Sequence, residues 1–321
     1  MRAVRLAGAR WLEVQELPDP QPSEGEVVIE VAAAGICGSD LSCYKSGVFS
    51  GSVLGHEFSG YLDGKPVVVD PKMPCGACAD CRNGSSYRCV EALTRGPGGL
   101  RDGAFAERVA VPASGVHALP DGLDVNDACL VEPLSVAIHG IERAGIAPNE
   151  ATVVGLGPIG LLVVAALRAR GCENVSGVDP VEVRRTLATK LGAGNVHERI
   201  EDAPAGSPLV LECTGRPELL QQTTNLLGAG GVAVLLGVPM AEATVSPLVW
   251  VTREQSVIGS ISSSIMDFRA AVGLLAARPE IASIITKRVA LDRLPDAFEE
   301  LISRPADGKV VVVPAKRGPR F

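Results

Sequence analysis

Three groups of residues in this sequence have types and spacings suited to chemistry. The densest is CGACADCRNGSSYRC, residues 75–89, which places Cys75, Cys78, Cys81 and Cys89 in one short segment. Thiolates are strong zinc ligands, and Cys-x2-Cys steps let one loop wrap a tetrahedral ion. Gly76 and Gly84 supply the turns. A disulfide pairing suits an oxidising compartment. The opening MRAVRLAGARWLEV lacks the apolar run and cleavage site of a secretion signal, so a cytoplasmic, reducing location is expected. An iron–sulfur run has a shorter last gap followed by Pro, whereas Val90 follows here. The cluster therefore reads as a closed structural zinc site that shapes a lobe and does no chemistry.

The second group is Cys37 in GICGSD (35–40), His56 and Glu57 in GHEFSG (55–60), and Glu132 in CLVEPLSVAIHG (129–140). A few mixed ligands with an open position are the pattern of a catalytic metal. Taken singly, each residue has an ordinary reading. A lone Cys packs as a small hydrophobe. Glu57 suits a surface hydrogen bond, and Glu132 suits the positive end of a helix. Of the other histidines, His117 and His197 read as exposed loop residues, and His139 as a packed or hydrogen-bonded helix residue. Cys43, Cys129, Cys172 and Cys213 read as core or partly buried thiols.

The third group is GLGPIG, with Gly155, Gly157 and Gly160 around Leu156, Pro158 and Ile159. It follows the apolar strand ATVV and opens the helix LLVVAALRAR, which stops at Gly171. A second strand, NVSGVD, ends in the acid Asp179. That context turns a weak glycine pattern into a dinucleotide fingerprint. The glycines make the tight turn, admit the pyrophosphate and let helix pack on strand. Asp179 would accept the adenosine ribose hydroxyls and repel a 2′-phosphate, so NAD is expected over NADP. Arg184 and Arg185 nearby would tolerate a phosphate, which leaves NADP as the less favoured cofactor. LVLECTG (209–215) and GGVAVLLGVP (230–239) read as further strands, with Thr214, Gly215 and Val238 at their ligand-facing ends.

These groups need a sizeable scaffold. The chain has 321 residues, enough for two domains, and 46% are hydrophobic. Only 3% are aromatic, so aliphatic and Ala side chains must build the core. A net charge of −7 without a basic stripe argues against nucleic acid. The apolar run LLVVAAL is too short to span a membrane. The terminal KRGPR reads as a solvated tail.

The three groups together, with RDGAFAE and VEPLSVAIH, resemble the zinc-dependent medium-chain dehydrogenase/reductase family over nearly the whole length. GHE followed by VEPLSVAIH looks like its sorbitol, sugar and polyol branch, and CGSDLSCYK like bacterial aminocyclitol dehydrogenases. The resemblance implies an α/β fold. Residues 1–130 would form a GroES-like β-rich catalytic domain, completed by 273–321. Residues 131–272 would form a Rossmann domain, a doubly wound parallel sheet, with the active site in the cleft. It implies two zinc ions per chain, NAD as cofactor, and a homo-oligomer, dimer or tetramer. Cys37 and His56 would bind the catalytic zinc, with Glu57 or Glu132 as exchanging ligands. Ser39 would begin the proton relay.

Two departures stand out. Ser42 replaces the His that usually passes the proton on, and YLDGKPVVVDP replaces a longer loop. The expected activity is oxidation of a secondary alcohol on a polyol, sugar or (amino)cyclitol. The alternatives are a dehydrogenase of simple or hydrophobic alcohols and a non-enzymatic nucleotide-binding protein that keeps the fold.

Overall fold

The computed structural model describes residues 1–304 and 306–314, so the KRGPR tail lies outside the described residues. The chain forms two compact units, residues 1–132 joined by 275 onward, and residues 133–274.

The first unit opens with an antiparallel pair, β1 (Arg2–Gly8) and β2 (Trp11–Glu16). Next come β3 (Glu26–Gly35) and α1 (Gly38–Ser46). The hairpin β4 (Glu57–Leu62) and β5 (Lys65–Val69) follows. Asp63 and Gly64, at φ 50° and 78°, make its two-residue turn. Two successive positive φ values suit an Asp-Gly hairpin turn, which is how YLDGKPVVVDP dispenses with a longer loop. Two short helices, α2 (Ala79–Arg82) and α3 (Val90–Arg95), flank the last cysteine, and β6 (Arg108–Pro112) and β7 (Val116–Ala118) follow. α4 (Val131–Arg143) carries the chain into the second unit.

That unit alternates strand and helix. Its elements are β8 (Glu150–Val154), α5 (Pro158–Ala169), β9 (Asn174–Val178), α6 (Glu182–Lys190), β10 (Asn195–His197), β11 (Ser207–Glu212), α7 (Leu220–Asn225), β12 (Leu227–Leu235), α8 (Leu248–Thr252), β13 (Ser256–Gly259) and α9 (Ile265–Ala277). The sheet order is β10-β9-β8-β11-β12-β13, and all pairs are parallel. Strand order reverses between β8 and β11, the switch point where ligands bind in such sheets. β8 and α5 are almost wholly buried, as runs of Val, Leu and Ala in a two-sided sheet require.

The chain then returns to the first unit with β14 (Ile285–Ala290), α10 (Leu294–Ser303) and β15 (Lys309–Val313). β15 joins β3 antiparallel, which gives the order β14-β15-β3-β4-β5-β7, with β6 on the far part of β3. The core is largely aliphatic and Ala, as the composition requires. Phe58, Phe105, Phe268 and Phe298 are fully buried among those residues. The architecture is the α/β class expected, a β-rich unit and a doubly wound parallel unit.

His117 and His197 correct the sequence reading. They lie in β7 and β10, half-buried and paired to neighbouring strands rather than in exposed loops. Strands of three residues are too short to show an alternating pattern.

Candidate functional site

In the first unit, β3, α1 and β4 bring three of the predicted ligands together. Donor atoms of Cys37, His56 and Glu57 lie within 4.8 Å of one another. Cys37 immediately precedes α1, and its N–H donates to Asp40 in the helix's first turn at 2.9 Å. Asp40 is 2% exposed and lies 3.5 Å from His56 Nδ1. Burial alone would lower the His56 imidazole, but the Asp40 carboxylate and the Cys37 sulfur raise it well above its ordinary value. Asp40 thus orients both a thiol-bearing backbone and an imidazole.

Glu57 is buried and ion-paired with Lys309, the first residue of β15. Burial disfavours the Lys309 ammonium, yet Glu57 and Cys37 outweigh it and keep the lysine charged. Glu132, in the first turn of α4, stands apart from the three-residue cluster. It shares their field. Burial, with the Glu57 charge, pushes its carboxyl up to about 7, against the pull of His56, Lys72 and Lys309. Lys72 itself pairs with Asp70 at 2.6 Å. Ser39 is exposed in the first turn of α1, and the Ser42 hydroxyl donates to the Gly38 carbonyl at 3.1 Å.

One cation fits these donors. Metal bonds of about 2.0–2.3 Å to sulfur, imidazole and carboxylate are reached by small side-chain shifts from this spacing.

The cysteine lobe fits a second ion. Sulfurs of Cys75, Cys78, Cys81 and Cys89 also lie within 4.8 Å of one another. All nine cysteines are free, and Cys75 and Cys81 sulfurs are 4.0 Å apart. A disulfide bond is about 2.05 Å, whereas two sulfurs on one tetrahedral zinc sit about 3.8 Å apart. Backbone N–H groups of Cys75, Cys78 and Cys81 donate to the sulfurs of Cys89, Cys75 and Cys78 at 3.3–3.5 Å. Such donors favour thiolates, and the Cys75 N–H leads in bringing Cys89 down to about 7. Burial and the neighbouring Cys78 thiol push Cys81 up to about 12.

The second unit assembles the glycine turn. Gly155 has φ 89°, a conformation that disfavours a side chain. A Cβ on Gly160 would overlap the Gly155 carbonyl, while Gly157 faces open space. Gly157 caps α5 without a side-chain hydrogen bond, and Pro158 and Ile159 open the helix. The first-turn N–H groups of α5 are thus available to phosphate oxygens. A Cβ on Gly155 would meet the Thr214 side chain at 2.6 Å, and one on Gly215 would meet the Val238 backbone at 3.0 Å. These residues follow β8, β11 and β12, so the predicted cofactor group does come together. Asp179 is 3% exposed and already engaged. It accepts from the N–H groups of Leu156 and Val181 at 2.9 Å, and pairs with Arg184 at 3.2 Å. It braces the glycine turn through these contacts.

Sequence reasoning did not single out Asp40, Lys72, Gly35 or Lys309. Asp40 carries a signal, since an acid at the third helical position reaches back to the cap N–H. Lys309 carries a fainter one, a charge opening the apolar run KVVVV, which needs a partner if buried.

Comparison with known proteins gives these geometries a context. Residues 23–121 match the alcohol dehydrogenase GroES-like domain, and residues 125–312 match the glucose dehydrogenase C-terminus. An L-threonine 3-dehydrogenase of Bacillus licheniformis is 30% identical, over 97% of this chain and 98% of that protein. A D-altritol 5-dehydrogenase of Agrobacterium fabrum is also 30% identical, over 97% and 98%. A crystal structure described as a zinc-binding dehydrogenase from Sinorhizobium meliloti 1021, bound to NADP, is similar with a TM-score of 0.87. It is 32% identical and covers 98% of this chain and 99% of its own.

Proposed function

We propose that this chain, which belongs to the zinc-dependent medium-chain dehydrogenase/reductase family, reversibly oxidises a secondary alcohol of a polyol, sugar or (amino)cyclitol to the ketone, using NAD. The observation that carries this reading is the close grouping of Cys37, His56 and Glu57.

Cys37, His56 and Glu57, with Glu132 nearby, would hold the catalytic zinc, and Cys75, Cys78, Cys81 and Cys89 a structural one. Zinc supplies a Lewis acid that favours the deprotonated form of a substrate hydroxyl, and the nicotinamide supplies the hydride acceptor. The chain's own residues do the rest. Asp40 fixes the His56 ring and the Cys37 backbone. Ser39 accepts the hydroxyl proton at the solvent-exposed start of α1. From Ser39 the proton passes to solvent water, and the Ser42 oxygen, one helical turn on, keeps lone pairs to accept a hydrogen bond from that water while its own hydrogen goes to Gly38. The acidic pair of Glu57 and Glu132 beside the zinc site suits a hydroxyl-rich substrate. In the second unit the first turn of α5 takes the pyrophosphate, and Asp179 selects the unphosphorylated ribose. Arg184, paired to Asp179, supports weaker use of NADP.

Assembly as a homo-oligomer is supported by the edge strand β13 and by exposed Leu248 and Val251; light scattering reads it. The free thiols suit a reducing, cytoplasmic location. No described helix is long and apolar enough to cross a membrane.

The test is reduced-cofactor formation at 340 nm, with NAD and NADP in parallel, over sorbitol, xylitol, myo-inositol, an aminocyclitol and simple secondary alcohols. Faster turnover of the polyhydroxylated members with NAD is expected. Turnover of simple alcohols alone would favour the hydrophobic-alcohol reading, and binding of cofactor without turnover the non-enzymatic one.

A further inference from the structure

Lys309 is the one buried lysine in contact with a predicted metal ligand among the described residues. The sheet explains how it gets there. β15, β3 and β4 are neighbours, and the register pairs Val311 with Gly35 and Gly35 with Glu57. Lys309 lies two residues from Val311, so Lys309, Gly35 and Glu57 share one face of the sheet. Gly35 leaves that face bare. A Cβ there would overlap the Glu57 carboxylate and crowd the Lys309 stem at 2.7 Å. The ammonium and the carboxylate therefore meet across β3 through a gap that only glycine provides. Both side chains are 3% exposed or less. A buried ammonium persists only with a partner, and Glu57 is the partner given.

The geometry points to Lys309 as the positioning residue that grips Glu57 and competes for its carboxylate with a cation held by Cys37 and His56. This rests on the catalytic metal site proposed above and gives that site a ligand that can leave. An ammonium and a divalent ion draw on the same carboxylate charge, so the hold on Lys309 weakens the hold on the metal. The strand that supplies Lys309 comes from the C-terminal return of the chain, while Cys37, His56 and Glu57 come from the N-terminal part.

The test is cobalt binding to the full chain, by competition with a chromogenic chelator and by the visible bands of the bound ion. The variants are Lys309→Met, Lys309→Gln, Lys309→Arg, Glu57→Gln and the Glu57→Gln/Lys309→Met double. Lys309→Met is expected to tighten binding by about tenfold or more, the scale of outer-ligand effects, and to shift the bands as the carboxylate joins the ion. Lys309→Arg should stay near wild type. In the Glu57→Gln background the gain should vanish, because Lys309 acts through Glu57. If Lys309→Met fails to fold, Lys309→Gln, which keeps a hydrogen bond to Glu57, carries the same comparison with a smaller gain. Unchanged or weaker binding in the lysine variants overturns the inference, as does an equal gain in the Glu57→Gln background. Wild type without a cobalt site that Cys37→Ala removes overturns the metal reading itself, and the inference with it.

Discussion

At Gly160 and Gly35 one added carbon is expected to be costly. Gly160→Ala drives a methyl into the Gly155 carbonyl. Overpacking of this kind costs about 1–3 kcal/mol, and here it also deforms the turn that receives the pyrophosphate. Urea unfolding and a fluorescence titration with NADH should show both losses, and native values for either contradict the assignment. Gly160 was legible because a backbone demand leaves a glycine at a fixed spacing. Gly35 was not. Its need arises from Glu57 and Lys309, side chains that only the sheet brings together. Asp179 was legible as an acid at the strand end, but its grip on the Leu156 N–H shows only once the turn is folded.

Two elements carry predictions of their own. The cysteine lobe has only two short helical turns, Ala79–Arg82 and Ser86–Arg88, inside its ligand span, so the ion would hold it. Cys89→Ser should lose one zinc and expose Arg82 and Arg88 to trypsin. Wild-type resistance with one zinc fewer contradicts a structural role. In the second unit, α9 begins with a capping box. Ser264 and Asp267 exchange hydrogen bonds, and Asp267 also meets His139 of α4 at 2.8 Å.

Burial would raise Asp267, but the His139 and Ser264 hydrogen bonds outweigh it and hold the carboxyl below its ordinary value. A depressed carboxyl stabilises fully above its unfolded pKa, about 3.9, and loses that contribution as pH falls through the lower native value. Asp267→Asn should therefore cost about 1–2 kcal/mol at neutral pH, with the gap closing below about pH 4. Thermal melts of both proteins at pH 7 and pH 3.5 check the sign, and a gap that widens in acid contradicts it. His139 was readable as a hydrogen-bonded helix residue; its partner, far along the chain, was not.

At the scale of the molecule, the two units would answer to different ligands. NAD at a hundred times its dissociation constant should stabilise the unit that binds it by about 2.7 kcal/mol, while chelation should weaken the first unit. Calorimetry with each treatment checks this, and a cofactor effect that disappears in Gly160→Ala ties it to the glycine turn. The fold class and the grouping of the four lobe cysteines, and of Cys37 with His56 and Glu57, were legible because they rest on residue types in recognisable short segments, whereas Glu132 stands apart. The return of β15 beside β3 was not, since strand pairing over such separation is decided by packing. It is this return that places Lys309 on Glu57. The most direct test of the account is zinc content and NAD-dependent oxidation of a polyol, measured on the same samples of wild type and Cys37→Ala. The account predicts two zinc ions per chain and turnover in wild type, and one ion with no turnover in the variant. Undiminished turnover in Cys37→Ala would contradict it.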